Sequence, residues 1–131
     1  MLIDTAGLLC LFHAAEPQSA DALTFFNAAR LRLTTNYVLA EFIALAHVRG
    51  LPRQATLDFV ADLQDSPEIT VVYVYEALHR AGLILLQQRL DKSWSLCDAV
   101  SIELMRQYDI AEALTTDHHF EQAGFVCLLA P

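Results

Sequence analysis

Short apolar runs alternate with helix-like stretches along the whole chain, and that alternation restricts the fold more than any other feature. The runs are Met1–Asp4, Leu31–Thr35, Ile69–Val74, Ala113–Thr116 and Phe125–Leu129, each four to six residues long. That length suits strands, and Ile69–Val74 is β-branched and aromatic besides. Between the runs lie Thr5–His13, Ala20–Arg30 (with Ala22, Phe25, Phe26 and Ala29 at helical spacing), Tyr37–Arg49, Arg53–Gln64, Glu76–Arg89, Ser95 to Tyr108, and His118–Ala123. Ser19, Asn36 and Ser95 are suited to cap three of these helices, and Gly50 to stop the third. Strands that alternate with helices form a parallel sheet, because every parallel crossover carries a helix and both faces become covered. A chain of 131 residues with no repeat and no Pro/Gly/Ser-rich linker is one domain, 1–131. It buries enough surface to fold without disulfides or a structural metal. The three cysteines, Cys10, Cys97 and Cys127, sit among apolar neighbours and are expected to be reduced core residues.

In an open parallel sheet, ligands bind beyond the carboxyl ends of the strands. Asp4 follows the first run and Asp117 the fourth. Each, taken singly, is explained as a helix N-cap worth about 1 kcal/mol. Asp98 also has a plain role, since Ser95-Leu96-Cys97-Asp98 fits a capping box. Glu41 differs. It is the one formally charged residue in Tyr37–Val48, a segment apolar on almost every face, and burial there demands a partner or a metal. The other explanation is a narrow exposed stripe. The four acids together are expected to converge on one edge of the sheet, where they repel unless a cation neutralises them. Oxygen ligands of this kind suit Mg²⁺ or Mn²⁺ and the activation of water for attack at phosphate.

At these residues the chain resembles the PIN-domain family, and within it the VapC-type toxins. The matching pieces are Leu2-Ile3-Asp4-Thr5, Asn36-Tyr37-Val38-Leu39-Ala40-Glu41, Asp91 followed by Ser95-Leu96-Cys97-Asp98-Ala99, and Leu114-Thr115-Thr116-Asp117-His118-His119-Phe120 with Ala123-Gly124-Phe125. The resemblance implies a three-layer α/β/α sandwich around a central, mainly parallel sheet. It implies a Mg²⁺- or Mn²⁺-dependent endoribonuclease with Asp4, Glu41, Asp98 and Asp117 holding the metal, supported by Thr5, Ser95 and Asp91. It also implies a cognate antitoxin and a homodimer. Two positions depart from the family pattern: Ala6 replaces a frequent Ser or Asn, and His118 a frequent basic residue. His118-His119 lacks a third ligand nearby in sequence, so a helix start is expected there instead of a zinc site.

Eight basic and sixteen acidic residues give a net charge of −8, which by itself argues against nucleic acid. Setting the four proposed ligands aside leaves −4, and bound cations present positive charge to a phosphate. Arg49, Arg53, Arg80, Arg89 and Lys92 are candidates to line an RNA approach, and Trp94 to stack on an unpaired base; an ordinary solvated surface explains them equally well. The same acidity suits an antitoxin with basic residues. No apolar stretch reaches membrane-spanning length and no signal-like segment opens the chain, so the cytoplasm is the expected compartment. The alternatives are a catalytically silent interaction module of the same fold and, further behind, a phosphatase using Asp4 as nucleophile, which wants an acid where Ala6 stands.

Overall fold

A computed structural model describes residues 1–131. Five strands, β1 (Leu2–Ile3), β2 (Leu33–Thr35), β3 (Thr70–Val72), β4 (Glu112–Leu114) and β5 (Val126–Cys127), form one parallel sheet in the order β3-β2-β1-β4-β5. Seven helices fill the connections: α1 (Thr5–Phe12), α2 (Ser19–Ala28), α3 (Asn36–Val48), α4 (Arg53–Asp65), α5 (Glu76–Gln88), α6 (Leu96–Gln107) and α7 (His119–Gln122). Strand alternation divides the core in two. Ile3 and Leu114 point to one face and pack with Leu8, Val38, Phe42 and Val60 from α1, α3 and α4. Leu2, Leu33 and Ala113 point to the other and meet Leu78, Leu85, Val100 and Met105 from α5 and α6. The result is the three-layer α/β/α sandwich expected from the alternation, because residues one apart on a strand must face opposite layers.

Helix α1 lies unusually close to β4. A Cβ built on Gly7 would stand 2.1 Å from the Leu114 carbonyl oxygen, and backbone cannot move aside as a side chain can. Gly7→Ala is therefore expected to destabilise the domain by about 3 kcal/mol, the upper end of overpacking costs. Chemical denaturation would measure it; an unchanged midpoint would show that α1 can lift from the sheet.

Two caps differ from those expected. Ser19 is the first residue of α2, with Gln18 at the cap and no side-chain bond. Thr35, not Asn36, caps α3: its Oγ1 accepts from the Val38 amide at 3.2 Å. Asn36 is freed to accept from the Val74 amide at 2.7 Å, tying α3 to the end of β3. The expected stop holds at Gly50, whose φ of 71° is the left-handed conformation that glycine adopts without strain. All three cysteines are free, Cys10 and Cys97 buried and Cys127 half-buried. No helix is long and apolar enough to cross a membrane.

Candidate metal centre

Strands β1 and β4 are neighbours in the sheet, yet the chain leaves β1 toward β2 and reaches β4 only after β3. The crevice between them is a topological switch point, where the two flanking crossovers part. Asp4 stands at the carboxyl end of β1, Asp117 three residues past β4, and Asp98 in the first turn of α6. The structure brings these three together: each can offer a carboxylate oxygen within 4.8 Å of the others.

Asp4 is 3% exposed. It occupies the N-cap position of α1, but its side chain makes no capping bond. Oδ2 instead accepts from the Thr115 hydroxyl at 3.1 Å, and Oδ1 is buried with no partner at all. Burial pushes the Asp4 carboxyl up to about 7; the nearby Thr5 amide opposes this, the charges of Asp98 and Glu41 add to it, and the Thr115 bond opposes it again. Such a group is stabilised in its charged form only if a cation arrives.

Asp98 is 6% exposed and held by both bonds of the capping box foreseen in the sequence. The Ser95 amide donates to Asp98 Oδ2, and the Asp98 amide donates to Ser95 Oγ, each at 3.0 Å. The box thus fixes the carboxylate instead of competing with a second role, and Ser95 acts as its anchor. Asp117 is oriented by its own turn: its amide donates to Thr115 Oγ1 at 2.9 Å, and its Oδ1 accepts from the His119 amide at 3.0 Å. Thr115, fully buried, therefore links Asp4 to Asp117 through one hydroxyl.

Glu41 departs from expectation. It is exposed, on a stripe with Ala40, Ala44 and Val48 that leaves Val48 83% accessible, and it lies outside the converging trio. Helix α3 buries only Val38, Leu39, Phe42 and Ala46 fully, so its apolar composition overstates its burial. Glu41 still faces the centre from the side, because its Oε1 accepts from the Thr5 hydroxyl at 2.6 Å. Cys97 lies beside it, its thiol pushed well up by burial and then by the charges of Glu41, Asp4 and Asp98.

The proposed RNA contacts are largely engaged elsewhere. Trp94 is 5% exposed, within the α5–α6 layer, with Nε1 donating to Gln122 Oε1 at 3.0 Å and the Arg89 guanidinium over its ring. It is a core residue and cannot stack on a base. Arg89 and Lys92 pair with Asp91 at 3.0 and 3.8 Å on the surface, so Asp91 serves this loop and not the acid trio. Arg49 pairs with Glu16, and Arg80 with Glu76. Sequence reasoning missed Thr115 and His119. Thr115 was hidden inside a strand-like run. His119 has its Nδ1 3.1 Å from Asp98 Oδ2 and 3.3 Å from Asp117 Oδ2, a contact that only the tertiary fold creates.

The sequence matches the PIN domain family over residues 1–126. No curated protein matches it significantly. Among solved structures, the chain is similar to the Mycobacterium tuberculosis toxin VapC20, described as cleaving the sarcin-ricin loop. The two share 26% identity and superimpose with a TM-score of 0.87, over 99% of this chain and 98% of that one.

Proposed function

The chain belongs to the PIN domain family, and from that premise we propose that it is a metal-dependent endoribonuclease, the toxin of a toxin–antitoxin pair. One observation carries the site assignment. A carboxylate oxygen of Asp4 is buried without a partner, against two further acids that no Lys or Arg neutralises. Burial of unpaired charge costs several kcal/mol, and a divalent cation removes that cost.

Asp4, Asp98 and Asp117 are the residues that would hold the ion, which we take to be Mg²⁺ or Mn²⁺ because the donors are mainly hard oxygens. When bound, it supplies Lewis-acid stabilisation of charge on the phosphate and eases loss of a proton from water. The chain's own residues do the rest. Thr115 holds Asp4 and Asp117 in register, and the capping box holds Asp98. Glu41, tethered by Thr5 at the exposed side of the centre, orients the attacking water and takes up its proton. That water would attack the phosphorus of an RNA phosphodiester, the P–O bond to the leaving ribose oxygen would break, and that oxygen would take a proton from solvent. The loop RNA named for VapC20 is a natural first substrate.

The net charge of −8 supports an antitoxin with basic residues, and an apolar groove lined by Leu11, Leu23, Phe26, Phe59 and Ile69 supports one with an apolar segment. Exposed Tyr73, Tyr75, Leu83 and Ile84 support a homodimer. We assign the protein to the cytoplasm. Nothing favours a catalytically silent module.

The test is direct. The purified chain, incubated with structured RNA and millimolar Mn²⁺ or Mg²⁺, is expected to cut internally and to stop when a chelator is added. Intact RNA with both ions, or cleavage that survives the chelator, would end this assignment.

A further inference from the structure

The ring of His119 stands in the gap between two of the acids, with Nδ1 3.1 Å from Asp98 Oδ2 and 3.3 Å from Asp117 Oδ2. It is the only side-chain nitrogen within hydrogen-bond distance of the trio, since His118 Nδ1 lies 3.7 Å from Asp117 and its side chain is 71% exposed. The His119 side chain is 19% exposed, and its own amide donates to Asp117 Oδ1 at 3.0 Å. One turn of chain therefore sets both the imidazole and the carboxylate it faces.

Adjacent ligands of an octahedral cation with bonds of about 2.1 Å lie about 3.0 Å apart. The two His119 distances match that spacing. Hydrogen bonds share it, but they leave the buried Asp4 Oδ1 without a partner. Asp117 stands in both sets of closely spaced ligand atoms, one with Asp4 and Asp98 and the other with His118 and His119, so a cation at Asp117 is within reach of the imidazole as well as of the acids. We infer that His119 is a further ligand of the ion held by Asp4, Asp98 and Asp117, binding through Nδ1 and giving a mixed nitrogen–oxygen set. This rests on the metal-centre reading above. A ring nitrogen suits transition ions better than Mg²⁺, which prefers oxygen, so His119 tilts the site toward Mn²⁺.

Mn²⁺ bound to the wild-type chain at about pH 8 is the probe, since metal binding displaces protons from its ligands and is favoured there. Its electron spin echo is expected to carry the modulation of a directly bonded ¹⁴N nucleus, and His119→Gln is expected to lose it. Calorimetry is expected to give a roughly tenfold or greater loss of Mn²⁺ affinity in that variant, with Mg²⁺ affinity changed less than about threefold. Bound Mn²⁺ without a nitrogen signal in the wild type would reduce His119 to a hydrogen-bond donor and overturn the inference while leaving the metal centre standing. So would a signal that persists in His119→Gln, or equal losses for both ions. Failure of the wild type to bind Mn²⁺ at all would overturn both readings together. The wild-type spectrum decides the matter even if the variant folds poorly.

Discussion

Replacing Asp98 with Asn is expected to lower RNA cleavage by about a thousandfold, what ~4 kcal/mol of lost transition-state stabilisation corresponds to, and to leave the fold in place. The substitution is selective because of where Asp98 sits. An Asn oxygen can still accept from the Ser95 amide, and the Ser95 hydroxyl still accepts from the amide of residue 98, so α6 keeps its start. What disappears is one negative charge, largely buried, in the cluster proposed to hold a cation. Single-turnover cleavage with Mn²⁺, calorimetry and a circular dichroism melt should be run together. Lost cleavage with lost metal binding and a wild-type melt supports the assignment. Full cleavage by the purified variant would sink it.

Asp4→Asn is expected to stabilise the metal-free protein, and increasingly so as the pH rises. The folded chain keeps the Asp4 proton up to about pH 7, whereas the unfolded chain releases it near its ordinary value of 3.8. The contribution of Asp4 to stability is thus fully present below about pH 4, falls as the pH climbs toward 7, and is flat beyond. An uncharged Asn escapes that fall. In chelator the variant should melt close to the wild type near pH 4.5 and about 10 °C above it at pH 8, for a difference on the order of 3 kcal/mol. Mn²⁺ at about a thousandfold over its Kd should then reverse the order, since it adds about 4.1 kcal/mol to the protein that binds it. Parallel melting of the two proteins from pH 4.5 to 8 in chelator would show that Asp4 carries no buried-charge penalty.

Legibility in the sequence followed the range of the interactions involved. The layered sheet could be read because strand and helix periods are local, and the Ser95–Asp98 capping box because both partners lie in one turn. Asp4 and Asp117 were found by their place after strands, a rule of topology. Glu41 was placed too deep. Apolar residues in α3 outnumber those its neighbours can cover, so Val48 and the stripe beside Glu41 remain outside. Trp94 was placed too shallow: its ring packs into the core beside α5 and α6, and its Nε1 finds its acceptor in Gln122, 28 residues away. His119 and Thr115 were invisible for the same reason, as their partners lie 21 and 111 residues distant.

That last separation has a consequence in time. Strand β1 pairs on one side with β2 and on the other with β4, and Asp4 waits for the Thr115 hydroxyl that follows β4. At translation rates of about 5–20 residues per second, the ribosome needs about 6–22 s to add those 111 residues. Throughout that interval the nascent chain carries Asp4, and later Glu41 and Asp98, but lacks the Thr115 hydroxyl and Asp117 that complete the cluster. The proposed centre can therefore be complete only after β4 and the turn that follows it have left the ribosome.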